Sequence, residues 1–217
     1  NKGGYSATRG FITDTNVNQV SLTEPAASHE TTAINFLVKW SAISADSVGL
    51  DSYVVEVSKS SAFTTLMFAD TIDGTQTSDT ITGLYNDTYF WRVRGVDDLG
   101  NVGLNSALRG FVTDTLVDTA TLAQPADGHE TNVINFLVVW NVVPDSVGVD
   151  SYAVEVSKSS AFASLMFADT VDATQTSDTI TGLYNDTYYW RVRAVDDLGN
   201  KGGYSATRGF ITDTNVN

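Results

Sequence analysis

A long exact internal repeat constrains this chain more than any other feature. Residues 1–18 recur without change as residues 200–217, and a diverged third copy occupies 101–118. Between these copies, block 46–101 matches block 145–200 with only 8 differences in 56 positions. A core requires only that volume and pattern be kept, so agreement at surface positions indicates recent duplication. A unit of about a hundred residues is too long for the common solenoids and favours a row of self-contained domains.

The composition of the chain argues against several classes of protein. The 217 residues include 12 Lys and Arg against 26 Asp and Glu, which gives a net charge of -14. Charge of this sign repels phosphate backbones, so we expect no nucleic-acid partner. Cysteine is absent, so each unit must bury its own core without disulfides. No apolar run reaches the ~20 residues of a membrane-spanning helix, so we expect no membrane span in these residues.

Apolar residues alternate with polar ones along most of the chain, which is typical of half-buried β-strands. The first clear strand is predicted to place four residues on one face: Ile34, Phe36, Val38 and Trp40. A later strand is predicted to turn Tyr89, Trp91 and Val93 inward and its two arginines outward, where either could pair with Glu56 on a neighbouring strand. Turn residues punctuate these runs at regular intervals. We therefore predict an all-β chain of tandem antiparallel β-sandwiches with about seven strands each.

Four motifs in each unit carry a family resemblance. In the first unit they are Trp40, Tyr-x-Val-Glu-Val-Ser at 53–58, Thr-Gly-Leu-x-x-x-Thr-Tyr-x-Trp-Arg-Val-Arg at 82–94, and Val-Asp-x-x-Gly-Asn at 96–101. Together they resemble the fibronectin type III family as it appears in tandem repeats of prokaryotic surface proteins. The resemblance implies that Trp40 and Trp140 pack at the centre of their sandwiches. It also makes Tyr89 and Tyr188 candidates for the corner tyrosine near the start of the sixth strand.

The same resemblance implies the domain organisation. Residues 1–15 are expected to be the terminal strand of a preceding repeat. Residues 16–115 and 116–217 are expected to form fibronectin type III-like domains 1 and 2. A terminal strand without its own sheet is an open template for pairing. We therefore expect neighbouring copies of the same repeat to be the partners, through strand exchange or head-to-tail assembly.

Few residues suggest catalytic chemistry. The chain has no cysteine nucleophile, no Gly-x-Ser-x-Gly motif and no glycine-rich phosphate loop. His29 and His129, one in each unit, are each followed by Glu in a turn-like stretch. One histidine in a unit cannot make a zinc site alone, and a solvated loop is the favoured interpretation. We predict that the chain is not an enzyme and needs no organic cofactor.

Acidic loops are the one candidate binding site in the sequence. In the fold implied by the resemblance, the loops after the second and sixth strands lie at the end where the preceding domain joins. This gathers two groups of aspartates: Asp14, Asp46, Asp51, Asp97 and Asp98, and Asp114, Asp118, Asp145, Asp150, Asp196 and Asp197. Ca²⁺ takes six to eight oxygen ligands, so each group is a candidate Ca²⁺ site. Aspartate is equally typical of tight turns, and both interpretations stay open.

Two further motifs suggest a modification. Asn86 and Asn185 each begin an Asn-Asp-Thr sequence in a predicted surface turn. These sequences match the acceptor for N-glycosylation in secreted proteins. A turn explains the same residues equally well, so both asparagines are glycosylation candidates only.

These observations favour an extracellular or cell-surface location and a structural role. We expect a non-catalytic repeat of a fibre, stalk or adhesin. The alternatives are a multivalent glycan- or protein-binding module that uses the loops named above, and an accessory domain of a secreted hydrolase. Near-identical loops in the two units favour repetition of one role over two different ones.

Overall fold

The structure is a computed structural model that describes residues 5–44 and 46–215. The chain divides into two compact units, Asn1–Thr113 (unit 1) and Asp114–Asn217 (unit 2). All regular elements in the described residues are β-strands, and each unit contains eight. The prediction of an all-β chain of tandem sandwiches is therefore confirmed.

Unit 1 is a sandwich of two sheets. Its strands are β1 (Leu22–Glu24), β2 (His29–Thr31), β3 (Phe36–Trp40), β4 (Leu50–Ser58), β5 (Phe68–Asp73), β6 (Ser78–Ile81), β7 (Asp87–Asp97) and β8 (Arg109–Thr113). One sheet has the order β1-β3-β6 and the other β2-β8-β7-β4-β5. Neighbouring strands are antiparallel except β2 and β8, which run parallel.

Unit 2 repeats this arrangement strand for strand. Its strands are β9 (Leu122–Gln124), β10 (His129–Thr131), β11 (Phe136–Trp140), β12 (Val149–Ser157), β13 (Phe167–Asp172), β14 (Ser177–Ile180), β15 (Asp186–Asp196) and β16 (Arg208–Thr212). The sheets have the orders β9-β11-β14 and β10-β16-β15-β12-β13. The parallel pair is β10 with β16.

The eighth strand arises because the first strand of each sandwich is split. Pro25 lies between β1 and β2, and proline has no N–H to donate to a strand ladder. The part before the proline pairs with β3 in the three-stranded sheet, and the part after it pairs with β8 in the five-stranded sheet. Pro125 divides β9 from β10 in the same way. One chain segment therefore contributes to both layers of each unit.

The alternating residues of the long strands form the core of each unit. The predicted inward residues of β7 are fully buried, and so are Tyr53, Val55 and Val57 of β4. Trp40 is only 3% exposed, and its ring lies against Tyr53 with centroids 5.4 Å apart. Large aromatic side chains such as these bury the most surface for each residue, so they contribute most to the stability of the core.

One residue of the first predicted strand does not follow the pattern. Ile34 is 52% exposed, and β3 begins only at Phe36. The prediction that Ile34 faces inward is therefore wrong. The pairing of β3 with β6 starts at Phe36 and Ile81, so Ile34 lies before the paired region. Only within that region does alternation determine which side chains face the core.

The outer face of the five-stranded sheet carries the predicted charge pairing. Glu56 Oε2 lies 2.7 Å from Arg92 Nε, and its Oε1 lies 3.1 Å from Arg94 Nη1. The pairing prediction is confirmed for both arginines. In unit 2, Glu155 pairs with Arg191 at 2.6 Å and also accepts a hydrogen bond from the Tyr204 hydroxyl at 2.5 Å.

The corner tyrosine is present in both units. The Tyr89 hydroxyl accepts a hydrogen bond from Tyr85 N at 3.0 Å and donates one to Tyr85 O at 3.1 Å. Tyr188 makes the same two contacts with Tyr184. The side chain thus fixes the turn that precedes β7 or β15, which confirms the implied role.

Candidate metal centres

Three aspartates converge in each unit from three separate parts of the chain. In unit 1 the carboxylate oxygens of Asp14, Asp46 and Asp97 lie within 4.8 Å of one another. Asp14 precedes β1, Asp46 lies between β3 and β4, and Asp97 ends β7. In unit 2 the equivalent cluster is Asp114, Asp145 and Asp196. These two sets are called cluster 1 and cluster 2 below.

The loop after β7 fixes the position of the Asp97 carboxylate. Asp97 Oδ1 accepts hydrogen bonds from Leu99 N at 2.9 Å and Asn101 N at 2.8 Å. Its Oδ2 accepts a third bond from Asn101 Nδ2 at 2.7 Å. Gly100 has a φ of 83°, a left-handed conformation that glycine adopts without strain. The Val-Asp-x-x-Gly-Asn motif therefore encodes a turn built around this carboxylate.

Asn101 also ties the first segment of the cluster to this loop. Its Nδ2 donates to the backbone oxygen of Asp14 at 2.9 Å. In unit 2, Asn200 donates to Asp114 O at 3.1 Å and to Asp196 Oδ2 at 2.7 Å. The sequence alone did not predict a role for these asparagines in the site. The feature that could have indicated this role is that each asparagine is the last residue of a Val-Asp-x-x-Gly-Asn motif.

Backbone groups use only part of the carboxylate oxygens. Asp14 Oδ1 accepts from Asn16 N at 2.9 Å, and Asp46 Oδ1 accepts from Val48 N at 3.2 Å. Asp46 Oδ2 is buried and has no hydrogen-bond partner among the described residues. A buried anionic oxygen without a partner is energetically unfavourable, and a cation would supply the missing interaction.

At least one carboxylate of each cluster is almost fully buried, and the others are partly buried. Asp97 and Asp196 are each 1% exposed, and Asp114 is 2% exposed. Burial raises the pKa of Asp97, but hydrogen bonds from Asn101 and the loop backbone outweigh this effect and leave the pKa lowered. Burial raises the pKa of Asp145, and the charges of Asp114 and Asp196 raise it further. The repulsion at Asp145 is of the kind that a bound cation would relieve.

The remaining predicted ligands lie outside both clusters. The clusters do not include Asp51, Asp98, Asp118, Asp150 or Asp197. All five are exposed. Asp98 shows the reason, because it follows the buried Asp97 directly and its side chain faces solvent beside Gly49. The strand ends at Asp97, and the turn that follows leaves the side chain of Asp98 in solvent. The prediction that Ca²⁺ binds here stays a prediction, with three protein ligands in each unit instead of five or six.

The histidines are separate from the clusters. His29 begins β2 and stacks on Phe36 with ring centroids 5.3 Å apart, and His129 stacks on Phe136 at 5.5 Å. The expected turn-like loop is therefore wrong, since both residues belong to short strands. Each ring covers one face of a phenylalanine that packs against the core.

The glycosylation candidates flank the start of the longest strands. Asn86 directly precedes β7, and Asn185 directly precedes β15. Asn185 is exposed, and its Oδ1 accepts hydrogen bonds from Thr214 N and Thr214 Oγ1, both at 2.8 Å. Glycosylation of either residue stays a prediction.

Residues 5–44 and 46–215 contain no helix that could span a membrane.

Comparison with known proteins gives similarity at the level of structure alone. No protein-family model and no curated protein matches the chain. It is similar to the crystal structure of the FN1–FN3 domains of chicken CNTN1, with 16% identity and a TM-score of 0.44, over 86% of this chain and 64% of that one. This chain thus spans less than two thirds of the chicken chain. It is also similar to the fibronectin(III)-like modules of Clostridium thermocellum CbhA, with 15% identity and a TM-score of 0.37, over 89% of this chain and 94% of that one.

Proposed function

We propose that this chain is a non-catalytic structural repeat of an extracellular fibre, stalk or adhesin. The observation that carries the proposal is the duplication of the whole module, including its exposed loops and its aspartate cluster. Loops 46–49 and 97–101 are identical in sequence to 145–148 and 196–200. A protein that recognised two different ligands would be expected to vary these loops between its units.

The side chains of the two clusters support cation binding and not catalysis. Among the described residues, the groups of acidic, histidine or cysteine side chains that are close enough to share an ion are clusters 1 and 2. Both consist of carboxylates only, and neither contains a histidine that could move a proton near neutral pH. Carboxylate oxygens are ligands that hard cations prefer.

We propose Ca²⁺ as the ligand of each cluster. Three carboxylates provide up to six oxygens, and water or a backbone carbonyl can complete the six to eight that Ca²⁺ takes. In cluster 1, Asp46 Oδ2 is buried without a partner and is the atom that most needs such an ion. In cluster 2, burial raises the pKa of Asp145, the charges of Asp114 and Asp196 raise it further, and a cation would offset this repulsion. Extracellular modules bind Ca²⁺ with dissociation constants of about 10⁻⁴ to 10⁻³ M, which suits a site with three protein side chains.

A bound ion would strengthen one part of each sandwich. Asp14 and Asp114 lie in the segments that precede the first strands, and the other two ligands of each cluster come from loops at the ends of β3 and β7 or of β11 and β15. Bridging these carboxylates would hold the leading segment against its own unit. This would resist peeling of the chain from its end when the protein is pulled.

Single-molecule pulling on the full chain tests the mechanical role. We expect two unfolding events, each releasing about 30 nm, because about a hundred residues extend at 3.3–3.6 Å each. Both unfolding forces should rise in millimolar Ca²⁺ relative to EDTA. Release of the whole chain in one event, or unfolding at no measurable force, would contradict the mechanical role.

A further inference from the structure

Each sandwich has one glutamate and two arginines on the outer face of its five-stranded sheet. In unit 1 both arginines are paired with the glutamate. Glu56 Oε2 lies 2.7 Å from Arg92 Nε, and Glu56 Oε1 lies 3.1 Å from Arg94 Nη1. Each carboxylate oxygen therefore binds one guanidinium group, and unit 1 supplies the carboxylate that its second arginine, Arg94, needs.

Unit 2 differs because a tyrosine takes the place of the second arginine at the glutamate. Glu155 Oε2 lies 2.6 Å from Arg191 Nη2, but Glu155 Oε1 accepts a hydrogen bond from the Tyr204 hydroxyl at 2.5 Å. Arg193 is the equivalent of Arg94, and its guanidinium carbon lies 4.7 Å from the centre of the Tyr204 ring. No carboxylate in the described residues forms an ion pair with Arg193, and its Nε is buried without a hydrogen-bond partner.

Two differences in sequence accompany this change. Unit 1 has Asn105 where unit 2 has Tyr204, and it has Val54 where unit 2 has Ala153. Ala153 lies opposite Arg193 of β15 on one side and opposite a threonine of β13 on the other. The smaller side chain therefore leaves room on the sheet directly beside the unpaired guanidinium group.

A pocket of about 420 Å³ occupies this place. The residues that line it include Arg193, Ala153, Thr170, Ala168 and Glu155. Its volume falls within the range of ~300–1,000 Å³ that is usual for sites of small ligands. The two alanines form an apolar floor, and the arginine supplies N–H donors. The threonine hydroxyl and the glutamate carboxylate are acceptors for a hydroxyl group of a ligand.

Unit 1 indicates the chemistry that the unpaired guanidinium group selects. Its equivalent there, Arg94, binds a carboxylate oxygen, and guanidinium groups bind carboxylates through paired, charge-assisted hydrogen bonds. The net charge of -14 opposes a ligand with many negative charges. The acceptors beside the guanidinium group favour a ligand that carries hydroxyl groups as well as one carboxylate.

We propose that this pocket binds a sugar acid, with its carboxylate on Arg193 and its hydroxyl groups on Thr170 and Glu155. Tyr204 is a positioning residue, because it occupies Glu155 Oε1 and so keeps Arg193 available. The inference goes beyond the proposed function, since it gives unit 2 a ligand site on the sheet face, where the two units differ, and not in the loops that they share.

Titration of the isotopically labelled full chain with sodium glucuronate, followed by NMR, tests the site. Saturable shifts are expected at the amides of Ala153 and Thr170 and at the Nε–H of Arg193. Arg193→Gln should raise the Kd about tenfold or more, because it removes charged hydrogen bonds. Arg94→Gln is the matched control in unit 1 and should leave the Kd unchanged. No saturable shift, or an unchanged Kd in Arg193→Gln, would overturn the proposal.

Two further probes test the class of ligand. Methyl glucoside has the sugar ring without the carboxylate and should cause no saturable shift. Glutamate with its amino group and α-carboxylate both blocked as amides presents a side-chain carboxylate without sugar hydroxyl groups, and it should bind more weakly than glucuronate. Equal or tighter binding of blocked glutamate would overturn the sugar acid and assign the pocket to an acidic peptide.

Exchange of residues between the units tests the role of the tyrosine. Tyr204→Asn should weaken glucuronate binding as strongly as Arg193→Gln does, because Glu155 Oε1 becomes free to pair with the arginine as in unit 1. Val54→Ala with Asn105→Tyr should create a second site, with new shifts in unit 1. Thermal transitions of both units confirm that each variant is folded. Full binding by folded Tyr204→Asn would contradict the positioning role.

Discussion

Units 1 and 2 fill the same part of the core with side chains of different sizes, at one position in β7 and its equivalent in β15. In unit 1, Gly95 is buried, and a Cβ placed there would lie 2.5 Å from Ile43 Cδ1 and 3.1 Å from Leu50 Cδ1. Unit 2 has the reverse distribution of size, with a methyl group on the strand and shorter neighbours: Ala194, Val143 and Val149. Val143 is part of the core of unit 2, and Val149 packs against that core.

This difference shows that duplication has preserved the total volume of the core but not each core side chain. Side-chain volume has moved from the surrounding residues to the strand, while the total remains close to constant, as cores tolerate best. The aspartate clusters, the corner tyrosines and the central tryptophans are unchanged. The interior can therefore be repacked, while the turns and the cluster are retained as sets of specific groups.

The largest expected effect tests whether the two units fold independently. Trp91 is fully buried in unit 1, and truncation of such a residue costs about 3–5 kcal/mol. This is a large part of the stability of a domain. Trp91→Ala should remove the calorimetric transition of unit 1 and leave that of unit 2, and Trp190→Ala should do the reverse. Tyr85→Ala, at a position 71% exposed, is the control and should change little. Loss of both transitions together would show that the units are not independent.

The next effect tests the exchange of volume between the units. Gly95→Ala should destabilise unit 1 by about 1–3 kcal/mol through overpacking. Adding Ile43→Val and Leu50→Val should recover most of this loss, because these changes reproduce unit 2. Urea unfolding of the single, double and triple variants measures the coupling. If the costs of the three substitutions simply add, the compensation does not exist.

The smallest effect concerns the outer face, where only unit 2 has a tyrosine beside the glutamate. Burial raises the pKa of Glu155, but the hydrogen bonds from Tyr204 and Arg191 outweigh it and leave the pKa lowered. The folded pKa is below the unfolded one, so this group stabilises unit 2 above about pH 4.5, and the contribution is lost as the pH falls through the folded pKa.

Tyr204→Asn, which copies unit 1, should therefore cost unit 2 about 1 kcal/mol at pH 7. The cost should shrink as the pH falls below about 4.5, and the melting temperature between pH 7 and pH 3 measures this trend. A cost that does not change with pH would assign the effect of Tyr204 to packing alone.

Alternation in the sequence was sufficient to predict the long strands but not their limits. Tyr89, Trp91 and Val93 are buried as predicted, because a strand with one buried face repeats every two residues. The division of the first strand at Pro25 and the exposure of Ile34 depend on where each ladder begins. Pairing between distant segments determines that point, and a local pattern does not contain it.

The candidate site was predictable only as a group of acidic loops. Asp97 and Asp98 are adjacent and chemically identical, yet one is 1% exposed and the other faces solvent. The turn that selects between them depends on the side-chain amide of Asn101 and on the left-handed Gly100. The start of the chain shows the same limit, because residues 5–13 are exposed and form no strand, whereas the identical sequence at 204–212 includes a strand of unit 2.

Calcium titration of the full chain by calorimetry tests most directly the central claim, that each unit is a copy of one module with its own cation site. We predict that the full chain binds two Ca²⁺ ions and that the Asp46→Asn variant binds one. The double variant, Asp46→Asn with Asp145→Asn, should bind none. Both substitutions remove a charge and keep the oxygen that accepts from Val48 N or Val147 N. Asp98→Asn, an exposed acidic neighbour outside cluster 1, should leave both ions bound. Absence of binding to the full chain, or equal binding to the double variant, would contradict the claim.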